Sequence, residues 1–96
     1  MLHKANLTGA KLLGSNLSGA NLTAANLSYA FLDGANLKGA NLEGANIAEA
    51  SVVGTNFENA NLRGIISFFG HAHGCFYHNT IGRSGSICAE PYSEEG

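Results

Sequence analysis

The chain has 96 residues, a net charge of −2 and 12% charged residues, which leaves room for one small domain with a thin core. Ala, Gly, Asn and Leu fill 49 of the 96 positions and Trp is absent, a bias that signals internal repetition. The near-neutral charge speaks against a nucleic-acid binder, whose footprint is a strong basic excess. No apolar run approaches the roughly 18 residues of a membrane span. Met1-Leu2-His3 enters the repetitive pattern without a signal-peptide profile, so the expectation is a cytoplasmic chain with neither nucleic acid nor membrane as partner.

Stepping by five from Leu2 meets Leu7, Leu12, Leu17, Leu22, Leu27, Leu32, Leu37, Leu42, Ile47, Val52, Phe57 and Leu62, all large and apolar. Two residues before each of these centres stands a small residue: Ala at most units, Ser15 and Thr55 at two. Gly predominates two residues after, and Asn directly precedes nine of the twelve centres from Leu7 to Leu62. A period of five fits no regular element. A helix at about 100° per residue scatters the series around its axis, and an uninterrupted strand flips it from face to face. The chain must therefore turn a corner in every unit, with the small residue and the centre sharing one side of a short extended segment. Gly and Asn types are expected to supply the corner conformations.

The three units without Asn carry Lys11, Phe31 and Ser51 instead, spaced 20 apart. That spacing puts all three on one side of a four-sided coil, so residue n stacks under residue n+20 with neighbouring coils about 4.8 Å apart, as in a parallel sheet. The centres from Leu7 to Leu62 are then the core, held by columns of buried apolar side chains that each contribute roughly 1.5 to 3 kcal/mol.

Ala20-Asn21-Leu22, Ala25-Asn26-Leu27, Ala35-Asn36-Leu37, Ala40-Asn41-Leu42 and Ala45-Asn46-Ile47 resemble the A(N/D)Lxx signature of the pentapeptide-repeat family. The resemblance covers about residues 1–64. It implies an all-β, right-handed quadrilateral parallel β-helix of about three to four coils, with the centre and the small residue inward. Residues 65–79 are expected to form a degenerate repeat or C-terminal cap, and residues 80–96 an irregular tail.

Outward positions of the repeat carry Lys4, Lys11, Lys38 and Arg63 against Asp33, Glu43, Glu49 and Glu58, so the solenoid is neutral. Stacking by 20 sets Lys38 beside Glu58 and Glu43 beside Arg63, exposed pairs worth about 0 to 1 kcal/mol each. One side differs. Around Leu12, Leu32 and Val52, the outward Leu13, Phe31 and Val53, with Tyr29 at the adjoining corner, form an apolar strip that is the candidate contact surface for a protein partner or a second copy. The competing reading is that these side chains cover one another or lie under the C-terminal segment. The open ends of a solenoid also need covering. No cap is visible before Leu2, so either end-to-end pairing covers the first coil or the chain belongs to a longer protein.

Past Gly64 the sequence runs Ile65-Ile66-Ser67-Phe68-Phe69 into a stretch rich in His and aromatic residues. The frame puts Ala72 and Tyr77 at centres, which suggests a degenerate coil with Phe68, Phe69 and Tyr77 closing the tube. Tyr77-His78-Asn79-Thr80 with Gly85-Ser86 is similar to a closing phrase of many cyanobacterial members of the family. His78, Arg83 and Ser84 depart from it. His71, His73, Cys75 and His78 are a conceivable zinc or copper set. Their spacing matches no structural zinc pattern, and the frame turns Cys75 inward and the first two His outward, so no cofactor is expected. Cys75 and Cys88 are expected to stay reduced in a cytosolic chain.

A tube filled with Leu and Ala offers no pocket for converging catalytic groups, and its glycines recur with the structural period rather than as a phosphate loop, so no enzyme is expected. The preferred function is a structural or protein-interaction module that presents a face or an end to a partner or to itself. The alternative is a metal- or redox-responsive element built on the His and Cys segment. Some members of the family resemble a DNA rod and modulate topoisomerases. That role calls for a long acidic solenoid, and this neutral, short one ranks last for it.

Overall fold

A computed structural model describes residues 2–66 and 81–82. Its backbone closes one coil every 20 residues. Parallel bridges join Asn6 to Asn26 to Asn46 to Ile66, Lys11 to Phe31 to Ser51, Asn16 to Asn36 to Asn56, and Asn21 to Asn41 to Asn61, each step spanning 20 residues. These four ladders are the four sides of the solenoid.

Each unit turns its corner the same way. The N–H of the small residue donates to the carbonyl of the centre three residues back, as from Ala25 to Leu22 at 3.0 Å and from Ala40 to Leu37 at 2.9 Å. The residue two after the centre has φ between 59° and 72° at every unit from Lys4 to Gly64. A turn with positive φ only at its third residue is of type II character, which favours Gly there. Gly takes the position in most units, while Lys4, Ala24, Tyr29, Glu49 and Asn59 hold it against the steric preference of L-residues.

Asn plays a different part from the corner role expected of it. Apart from Asn59, the Asn residues of the repeat sit on the flat sides, and their Oδ1 atoms accept the N–H two residues on. The unit Ala40-Asn41-Leu42-Glu43-Gly44 shows why. Ala40 N–H closes the preceding turn on Leu37, Asn41 N–H donates down to Ala20, and Leu42 and Gly44 N–H donate up to Asn61 and Arg63. Only Glu43 N–H finds no backbone acceptor, and Asn41 Oδ1 takes it at 3.0 Å. The Asn side chain thus completes the account of the unit's backbone donors.

The core follows the columns. Leu22, Leu27, Leu32, Leu37, Leu42, Phe57 and Leu62 are fully buried, and Ile47 and Val52 nearly so. Between them lie Ala25, Ala30, Ala35, Ala40, Ala45, Ala50 and Ala60, small enough to bring the walls into contact. Thr55 is also fully buried, and its hydroxyl is satisfied by donating to Leu32 O at 2.7 Å. The first coil corrects the core expectation in degree: Leu7, Leu12 and Leu17 point inward but are only half-buried, as are Leu2 and Ala20. Within the described residues no coil stacks beneath them.

The register outlasts the repeat signature. Beyond the Asn46–Ile66 bridge, β1 (Asn61–Leu62) pairs in parallel with β2 (Ile81–Gly82), Asn61 opposite Ile81 and Leu62 opposite Gly82. Ile81–Gly82 fall inside the stretch read as an irregular tail. There the exposed backbone edge of the preceding coil pairs with chain that lacks the repeat's side chains, since such pairing is made by main-chain groups. The cap residues Phe68, Phe69 and Tyr77, and the rest of residues 67–80 and 83–96, lie outside the described residues.

Candidate interaction face

The side built on the Lys11–Phe31–Ser51 ladder carries Lys11-Leu12-Leu13, Phe31-Leu32-Asp33 and Ser51-Val52-Val53 on successive coils. Leu12, Leu32 and Val52 turn inward, so their neighbours turn out. Leu13 is 59% exposed, Phe31 42% and Val53 39%. Tyr29 projects from the adjoining corner at 62% exposure and φ 61°. Gly9 lies one coil below it and Glu49 one coil above, joined by backbone bonds from Gly9 to Ser28 and from Tyr29 to Ala48. The four apolar side chains singled out in the sequence are therefore all at the surface, on one side or its edge.

Exposed Ile66, at 47%, was not among them. Its signal was present: the step of five assigns it to the Asn position, and that position faces outward throughout the repeat.

This side also differs in its hydrogen bonds. On the other three, an Asn caps the outward N–H of each unit from Thr8 to Arg63. Here Lys11, Phe31 and Ser51 stand in place of Asn. Asp33 makes one repair across the coils: its Oδ1 accepts from Val53 N–H at 3.0 Å and from Ser51 Oγ at 2.6 Å. Among the described residues, the N–H groups of Leu13 and Asp33 have no hydrogen-bond acceptor. Sequence reasoning gave Asp33 no role beyond a surface charge.

The remaining surface charges follow the register. Gly39 N–H donates to Glu58 O and Gly44 N–H to Arg63 O, both at 2.8 Å, which sets Lys38 and Glu58, and Glu43 and Arg63, on adjacent coils. Among the described residues no group of three or more His, Cys, Asp or Glu could hold a metal ion. His71, His73, Cys75 and His78 lie outside the described residues, as do Cys75 and Cys88 as a pair. Among the described residues no helix is long and apolar enough to cross a membrane.

A four-sided parallel β-helix, wound from five-residue units and bearing one apolar side, defines this protein as a solenoid of the repeat class. The family model for pentapeptide repeats matches residues 2–39 and 32–64 in eight copies. The chain belongs to the pentapeptide-repeat family, and its β-helix is right-handed and quadrilateral. Among solved structures it is similar to a pentapeptide repeat protein from the cyanobacterium Cyanothece 51142, at 37% identity over 83% of this chain and 62% of that one, with a TM-score of 0.37. A pentapeptide repeat protein of the Arabidopsis thaliana thylakoid lumen matches at 24% identity over 78% of this chain and 59% of that one, TM-score 0.35. HetL of Nostoc sp. strain PCC 7120, a pentapeptide repeat protein involved in heterocyst differentiation regulation, matches at 22% identity over 82% and 58%, TM-score 0.32. The chain thus spans less than two thirds of these relatives' length. Among curated protein sequences none matches.

Proposed function

We propose that this chain is a non-enzymatic interaction module that presents the side formed by Leu13, Phe31 and Val53, with Tyr29 at its corner, to a protein partner. The observation that carries the reading is the coincidence of two features on one side. The apolar exposure is concentrated where the Asn ladder is missing in all three coils. A solvated wall has no use for a 42% exposed Phe in place of an Asn that caps a backbone donor, whereas a contact surface does. The interior of the described coils is filled by Leu, Ile, Val and Ala side chains and Phe57, and this supports a role exercised from the outside rather than in a pocket.

The test is the double substitution Leu13→Lys and Phe31→Lys. Both side chains are exposed, so the circular dichroism spectrum is expected to stay unchanged while affinity capture loses those proteins that the native chain retains. Light scattering across a concentration series separates the two kinds of partner: self-association abolished by the substitutions identifies a second copy. Identical capture and identical mass for native and substituted chains would refute the reading.

A further inference from the structure

The missing Asn residues say what kind of partner this side takes. We propose that the face binds an acidic, apolar protein segment that sets a carboxylate on Leu13 N–H beside the Lys11 ammonium and an acceptor on Asp33 N–H, while its apolar side chains cover Phe31 and Tyr29. This rests on the interaction-face reading and adds the chemistry of the occupant.

The polar groups of the face are lopsided. Its outward backbone offers two donors that no described residue accepts from, at Leu13 and Asp33. Lys11, one coil below Phe31, adds a cation. The single carboxylate on the face is directed at the coil above, where it serves Ser51 and Val53. Hydrogen bonding leaves the Asp33 carboxylate charged, so the negative charge of an incoming chain belongs at the lowest coil, where Leu13 N–H and the Lys11 cation share one unit, while the middle coil offers Asp33 N–H to an acceptor. Glu49 stands one coil above Tyr29 at the same corner, which disfavours a carboxylate at that end and sets the orientation. A second copy fits poorly, because it brings the same donors, the same lysine and an Asp33 already engaged.

Leaving these donors uncapped lowers the stability of the solenoid itself, and such local losses concentrate where a protein makes contacts. Restoring Asn at one of them therefore separates the two roles. Lys11→Asn gives Leu13 N–H the cap that Thr8 and Ser18 have on the neighbouring sides. It is expected to raise the thermal midpoint by about 4 to 8 °C, the shift given by one regained hydrogen bond in a domain of this size. Lys11→Met removes the charge, leaves the N–H uncapped, and should not raise it.

The probe is the capped peptide acetyl-Asp-Leu-Phe-Asp-Leu-Phe-Asp-amide, compared with the same peptide carrying Lys for each Asp, titrated into the 15N-labelled full chain to about 5 mM, which detects affinities in the millimolar range. The acidic peptide is expected to move the amide resonances of Leu13 and Asp33, leave the Asn-capped amides of Thr23 and Glu43 in place, and bind at least about tenfold more tightly than the lysine peptide. Lys11→Asn should abolish the Leu13 shift. If both peptides move Phe31 and Tyr29 equally and neither moves Leu13 or Asp33, the face binds but the acidic partner is wrong. If neither peptide moves any resonance of this side, both readings fail. A Lys11→Asn midpoint that is unchanged or lower also overturns the inference, since the N–H then had no cap to gain.

Discussion

Replacing Gly39 by Ala isolates the backbone cost of one corner. Gly39 has φ +70°, and a Cβ built there meets nothing within 4 Å. Steric crowding is therefore absent and only the left-handed conformation is at issue. For an L-residue that conformation costs about 1 to 2 kcal/mol. Ala also narrows the unfolded ensemble, which returns about 0.4 to 1 kcal/mol. The net loss is about 1 kcal/mol, or about 4 to 8 °C in thermal midpoint. Gly39→Asn should fall between, because Asn enters this region more readily than other side chains, as Asn59 already does at φ 61°. Ala24→Gly runs the experiment backwards at a corner where Ala sits at φ 59°, and should raise the midpoint. The assay is thermal and urea unfolding followed by circular dichroism. A Gly39→Ala variant as stable as the native chain, or an Ala24→Gly variant less stable, would refute the claim that these corners are held by φ.

Asn46→Ala leaves Ala48 N–H without its 2.9 Å acceptor and should cost about 1 kcal/mol. Asn46→Asp keeps an acceptor in place and should cost less, so equal losses in urea midpoint would disprove the capping role. Leu27→Ala should cost about 2 to 5 kcal/mol, because Leu27 is fully buried. Leu7→Ala in the same column should cost clearly less, since Leu7 is only half-buried. Equal losses in chemical unfolding would contradict the gradient of burial along the axis.

The side chains of the repeat announced its geometry because each position has one physical job. Large apolar residues at a strict step of five leave a chain no choice but to turn within every unit, and the Lys11, Phe31 and Ser51 spacing points to a coil of 20 residues. What stayed hidden was hydrogen bonding between residues distant in sequence. That Asn serves the N–H two residues on, and not the corner, becomes apparent only when the other four donors of the unit are traced, one to the preceding turn and three to the coils above and below. Asp33 is harder still: its partners Ser51 and Val53 lie a full coil away, and nothing in its local sequence distinguishes it from a solvated charge. Ile81–Gly82 escaped notice because backbone pairing at a sheet edge demands no side-chain pattern.

One side of a regular solenoid is free to vary because its outward positions carry little of the fold. The inward columns and the corner φ are shared by all four sides, so a change at Leu32 or Gly34 disturbs the coil as a whole. The position before the centre carries one backbone cap per unit, worth about 1 kcal/mol, joined in four units by a hydroxyl bond to the same Asn, and neighbouring coils still hold the backbone through the ladder at Lys11, Phe31 and Ser51. Loss of Asn there is tolerable in three successive coils, and Asp33 recovers one of the bonds from the coil below. A wall that gives up its caps while keeping its ladder becomes a flat surface whose outward residues are open to selection for contact, and Leu13, Phe31 and Val53 occupy it.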